Sequence, residues 1–141
     1  MDEPATLDGG CACGRVRYRL HSRPFDAGYC HCGICRRCSG APAVVYATVP
    51  LEHFELLRGR TRRYRSTGFG ERGFCGDCGA AIWMRVAHEP DTLDVTVATL
   101  DTPGDVVPGF HIWAGSRIAW FDTTDGAPRF EGSRPDASKP H

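Results

Sequence analysis

The eight cysteines of this 141-residue chain fall into three groups: Cys11 and Cys13 in CAC, Cys30, Cys32, Cys35 and Cys38 in CHCGICRRC, and Cys75 and Cys78 in CGDC. Thiolates are soft ligands, and an all-sulfur donor set points to zinc before other divalent ions. Cysteines separated by one or two residues present two sulfurs from one turn, the usual way of assembling a tetrahedral zinc site. The same spacing opposes disulfides, because a bridge across C-x-C closes a tight, strained loop. The start, MDEPATLDGG, is acidic where an export signal is basic and then apolar. The expectation is therefore a cytoplasmic protein whose thiols stay reduced and are free for metal.

The natural partition joins the first group to the last. Cys11, Cys13, Cys75 and Cys78 supply the four ligands of a closed, structural zinc site, with Gly14, Gly76 and Gly79 permitting the turns. Such a site closes a long loop, and metal binding in comparable peptides is worth ~10–16 kcal/mol, as much as the whole stability of a small domain. Cys30, Cys32 and Cys35 form C-x-C-x2-C. They present three thiolates to a second zinc and leave the fourth position for water or substrate, the arrangement of a reactive site. Cys38 lies one helical turn beyond Cys35 and is a possible fourth ligand that would seal the site.

Three thiolates on Zn²⁺ leave one net negative charge, so a bound water is polarised weakly and hydrolysis is not the natural chemistry. A thiol suits the open position better, since it is held deprotonated there while it stays nucleophilic. Cys30, Cys32 and Cys35 are thus the catalytic candidates, as zinc ligands. His31, between two of them, is either a proton carrier or supporting donor, or an exposed turn residue. Arg36 and Arg37 either bind a substrate carboxylate or form a solvated basic edge. His111, among Phe110, Ile112 and Trp113, either packs and is buried, the favoured reading, or reaches a pocket.

The elements that must carry these thiols read as β. In GRVRYRL, Val16, Tyr18 and Leu20 alternate with Arg15, Arg17 and Arg19, a strand with one buried face. Further short strands are expected over 43–49, 53–57, 62–66, 80–86, 93–100 and 117–122, punctuated by Gly, Pro and Asp. No segment holds the apolar spacing of a long amphipathic helix, although a turn or two of helix after Cys35 fits. The expected architecture is a single, mainly antiparallel β domain over residues 8–130, with thiols on its turns and a flexible polar tail over 131–141.

Formal charge is zero, yet the halves differ: residues 1–75 carry 12 Arg against 7 acidic residues, and residues 76–141 carry 5 basic against 10 acidic. This polarity suits a small anionic ligand as well as an internal electrostatic fit, and it implies neither nucleic acid nor membrane. The cluster RGRTRRYR reads as a solvated strand edge.

Taken together, GGCACGRVRY, CHCGICRRCSGAP, RGFCGDCGAAIW and PGFHIWAGSRIAWF, covering about Asp8 to Asp122, resemble the glutathione-dependent formaldehyde-activating enzyme family, whose domain is shared with centromere protein V. The resemblance implies the Mss4-like zinc-binding β fold. It matches Cys11, Cys13, Cys75 and Cys78 to a structural zinc, and Cys30, Cys32 and Cys35 to a second, three-cysteine zinc linked to catalysis, so two Zn²⁺ per chain. Cys38 falls where the family pattern is variable. The implied activity is that of a carbon-sulfur lyase, adding glutathione reversibly to formaldehyde or another small aldehyde to give S-hydroxymethylglutathione or its analogue. The alternative is a non-catalytic, zinc-stabilised thiol carrier or binding module.

Overall fold

The computed structural model describes residues 6–134. Two sheets account for most of it. A three-stranded antiparallel sheet is ordered β1 (Leu7–Gly10), β2 (Arg17–Leu20), β5 (Phe54–Arg58). The second, seven-stranded sheet contains β3 (Phe25–Cys30), β4 (Val44–Pro50), β6 (Thr61–Arg65), β7 (Gly70–Cys75), β8 (Ala81–Val86), β9 (Thr92–Thr96) and the short β10 (His111–Ile112). Its order is β10-β3-β4-β9-β8-β7-β6, antiparallel throughout except for the parallel pair β10–β3. The expected mainly β class with cysteine-bearing turns is the observed one.

The alternation in β2 places Val16, Tyr18 and Leu20 at 1% exposure or less, while the arginines between them face outward into ion pairs. Arg17 pairs with Asp101, and Arg19 with Asp8 at 2.8 Å. The buried side chains of β2 meet Ala47 and Val49 of β4, Ile82 of β8 and Leu93 and Val95 of β9, which forms the main core between the sheets. Burying a large aliphatic side chain there contributes roughly 1.5–3 kcal/mol, so this core fixes the mutual position of the strands that bear cysteines. A second, smaller cluster of Cys30, Cys35, Val44, Phe110 and Ile112 packs beneath the middle thiols.

Two expectations need correction. Residues 117–122 form no strand: Phe121 donates a backbone bond to Ile118 across a turn, and Trp120 is 75% exposed, so an apolar composition without a pairing partner stays a loop. The strand expected over 93–100 stops at Thr96 and continues as a 3₁₀ turn, Val97–Thr99. Of the tail expected over 131–141, residues 135–141 lie outside the described residues. Arg134 pairs with Asp26 at 3.2 Å and covers the Phe110 ring at 4.3 Å.

Candidate metal centre and adjoining cavity

The turns after β1 and β7 bring Cys11, Cys13, Cys75 and Cys78 together, with all four sulfurs within 4.8 Å of one another. The Cys11–Cys13 and Cys13–Cys75 sulfur separations are 3.6 and 3.8 Å. A tetrahedron with metal–sulfur bonds of about 2.3 Å has edges of about 3.8 Å, so the spacing fits a single zinc-sized ion and is far too long for a disulfide. Backbone N–H groups of Val16, Asp77 and Cys78 point at Cys11 and Cys75 sulfurs at 3.2 to 3.5 Å, as donors do around thiolates. At Cys11 burial raises the pKa, but the Val16 N–H and the neighbouring thiols outweigh it and bring the group down to about 6.

Cys30, Cys32 and Cys35 form the second group, also within 4.8 Å of one another. Cys30 ends β3, and Cys32 caps helix α1 (Gly33–Ser39), its sulfur accepting from the Cys35 N–H at 3.2 Å. Gly40, at φ 72°, closes the helix by donating to the Arg36 carbonyl. One short helix with a thiol at its cap and another in its first turn is therefore enough to aim two sulfurs at the end of β3. Cys35 is 2% exposed, and its sulfur lies 3.5 Å from that of Cys30. Hydrogen bonds from Cys30 and Cys32 hold Cys35 far below the usual thiol range, and the same bonds push Cys30 up. Three thiolates this close would repel one another, and a bound cation would neutralise that charge. Cys38 is exposed and does not join this group of sulfurs.

The residue that touches the second group most directly is one the sequence reading overlooked. Arg72 of β7 donates to the Cys35 sulfur at 3.4 Å, to the Tyr46 hydroxyl at 2.9 Å and to Ser66 at 3.0 Å. The Tyr46 hydroxyl in turn points at the Cys35 sulfur at 3.7 Å. The only trace of this in the sequence is a basic residue between Glu71 and Gly73 in ERGFC, ahead of the CGDC turn.

A cavity of about 500 Å³ opens over the second group, lined by Cys30, Cys32 and Cys35 together with Arg37, Arg72, Ser66 and Thr67 and by Phe69, Met84 and Trp113 among others. Among the described residues that line it, none is acidic. A second cavity of about 530 Å³ shares Cys35, Arg37 and Arg72 with the first and reaches Cys38, Tyr46 and Trp83. Arg36 faces a separate hollow beside Trp120. Of the two arginines considered from sequence, Arg37 lies against the thiols' cavity and Arg36 does not.

His31 is not an exposed turn residue: it is 3% exposed, with the Phe121 ring 6.1 Å from its own. Its Nε2 lies 2.8 Å from Nδ1 of His111, whose own Nε2 lies 3.1 Å from Asp125 and 3.2 Å from Thr123. Tyr29 stacks on the His111 ring at 4.4 Å. The Thr123 hydroxyl, the Ala127 N–H and His111 hold the Asp125 carboxyl well below its usual range. An ionised Asp125 accepts from His111, which leaves His111 Nδ1 to accept from His31. Burial, the largest cause, depresses the His31 pKa and favours the neutral ring this order requires. The chain ties the backbone between Cys30 and Cys32 to His111, 80 positions later, and it gives buried His111 a polar role beside its packing.

Among the described residues no helix is long and apolar enough to cross a membrane. The fold resembles a crystal structure of a Rhodobacter sphaeroides protein, with a TM-score of 0.57 and 23% sequence identity over 88% of this chain and 99% of that one. In sequence the chain is 28% identical over 106 residues to a protein of Halomonas elongata named "Putative glutathione-dependent formaldehyde-activating enzyme"; the match spans 68% of this chain and 66% of that protein. The model of the family described as glutathione-dependent formaldehyde-activating enzyme matches residues 6–116, a span holding both cysteine groups and Arg72. The chain belongs to the glutathione-dependent formaldehyde-activating enzyme family.

Proposed function

We propose that the protein is a carbon-sulfur lyase that adds the glutathione thiol reversibly to formaldehyde or another small aldehyde, with one structural zinc at Cys11, Cys13, Cys75 and Cys78 and a reactive zinc at Cys30, Cys32 and Cys35. The observation that carries the reading is the floor of the cavity. Three sulfurs lie within 4.8 Å of one another at its base, the fourth cysteine of the loop stands outside the group, and two guanidinium groups line the same space.

Zinc in the second group would keep an incoming thiol deprotonated at neutral pH while leaving it nucleophilic. The protein's own side chains do the rest. Arg72, fixed by Tyr46 and Ser66, lays positive charge against the Cys35 sulfur and so favours the anionic donor set. Arg37 sits at the same cavity, where it would meet a carboxylate of a tripeptide ligand. Ser66 and Thr67 offer hydroxyls to its amides. The His31–His111–Asp125 chain holds the ligand loop in one conformation, a positioning role.

In the addition the thiol sulfur supplies the electron pair of the new S–C bond. The carbonyl π pair moves to oxygen, and the proton lost by the thiol ends on that oxygen, so no redox partner is needed. Thiols add to formaldehyde without help, and the test must therefore measure exchange rather than yield. Two-dimensional exchange NMR on a glutathione–formaldehyde mixture should show faster interconversion of free thiol and S-hydroxymethyl adduct with the zinc-loaded protein, and no acceleration with Cys32→Ser. Equal rates with and without wild-type protein would leave only the carrier or binding-module reading.

A further inference from the structure

We infer that the aldehyde partner of this site carries an apolar substituent, an alkyl chain of several carbons or an aryl ring, in place of the bare hydrogens of formaldehyde. The inference rests on the glutathione reading above and narrows it. The cavity over Cys30, Cys32 and Cys35 holds about 500 Å³, within the roughly 300–1,000 Å³ of sites that enclose whole small molecules. Its polar side consists of the thiols, Arg37, Arg72, Ser66 and Thr67, which matches the thiol, carboxylates and amides of a peptide. The remaining wall is a different surface, made of Ile34, Phe69, Met84, Val86 and Trp113.

Nothing in glutathione, and nothing in a one-carbon aldehyde, would cover that wall. Three of its members stay open to solvent: Phe69 is 53% exposed, Ile34 42% and Trp113 37%. Exposed large apolar side chains grouped at the mouth of a site are what an apolar ligand covers. Trp113 is also held at φ 55°, a backbone region that bulky residues rarely occupy, by its N–H bond to the Gly132 carbonyl at 2.9 Å. The wall is thus built at some conformational cost. It belongs to the same cavity as the sulfurs, where the substituent on the new S–C bond has to lie. The chemistry is unchanged: the S–C bond forms, the carbonyl oxygen takes the thiol proton, and only the substituent differs.

Stable thioethers that copy the adduct test this directly. Binding of S-methylglutathione and S-hexylglutathione to the zinc-loaded protein is measured by calorimetry, with Phe69→Ser and Ile34→Ser as variants whose exposed positions leave the core intact. The hexyl ligand should bind tighter by about tenfold for every two methylenes it buries. Both variants should narrow that ratio while the methyl affinity holds. Equal affinities, or a hexyl preference untouched by either variant, overturn the inference alone. Failure of both thioethers to bind, with glutathione also leaving the second metal unperturbed, overturns it together with the reading on which it rests.

Discussion

Replacing Arg72 by Gln isolates the electrostatic part of the site, since it removes a charge and leaves every cysteine in place. Arg72 makes three directed contacts, to the Cys35 sulfur at 3.4 Å, the Tyr46 hydroxyl at 2.9 Å and the Ser66 hydroxyl at 3.0 Å. Gln can keep one of them. A hydrogen bond to a charged partner contributes about 1.5–3 kcal/mol. Loss of a group that supports a metal ligand weakens metal affinity about 10–100-fold, equivalent to about 1.4–2.7 kcal/mol, so two independent routes give the same size of effect. The sign follows from charge. Three thiolates around Zn²⁺ carry a net negative charge, and the guanidinium beside them favours the loaded state. The assay is competition against a chromophoric chelator, read separately for the two proposed metal sites of each chain. The first metal should be released as in wild type and the second 10–100-fold more easily. An unchanged second constant, or equal weakening of both, refutes the assignment of Arg72 to the second site.

Other predictions concern the frame. Cys75 is 1% exposed and joins turns far apart in sequence, so Cys75→Ser should release the structural metal and abolish cooperative unfolding, followed by circular dichroism. Ala at Gly73 would place its Cβ 2.0 Å from the Trp83 indole, and overpacking of this kind costs about 1–3 kcal/mol, which a urea midpoint would register. The Arg17 hydrogen bond lowers the pKa of Asp101, so the pair stabilises the fold above the ordinary carboxyl pKa of 3.8 and loses that contribution as pH falls through the lower native value. With Asp101 half exposed, Asp101→Asn should cost only about 0.2–1 kcal/mol at pH 7, and the difference from wild type should vanish in strongly acid solution.

What could be read in advance was what short-range pattern encodes. The period of two in GRVRYRL survives because the arginines point outward with partners while Val16, Tyr18 and Leu20 go inward. The partition of the thiols followed from spacing on turns, and the fold brings the same two groups together. Strands β1, β3 and β7 were not legible. Their sequences LDGG, FDAGYC and GERGFC contain glycine and charge that weaken strand propensity, and the chain is extended there because neighbours on the sheet satisfy its backbone. Asp26 of β3 even takes φ 53° at an irregularity in the β3–β4 pairing. The residues that surround the thiols were hidden for another reason. Arg72 meets Cys35 only through the order of strands, and His31 meets His111 only because β10 lies parallel to β3. Pairings between residues that far apart leave no periodic mark on the sequence. Conversely, 117–122 has strand-like composition but pairs with no strand among the described residues, and Trp120 remains outside.

Metal content decides most directly whether the middle loop is an open, thiol-accepting site. Elemental analysis of the wild type and of Cys38→Ser, each before and after dialysis against glutathione, should find two zincs per chain in both proteins, with one of the two displaced or spectroscopically perturbed by glutathione. A Cys38→Ser protein that holds a single zinc, together with wild-type zinc that glutathione leaves untouched, would mean that Cys38 seals the site and would contradict the account.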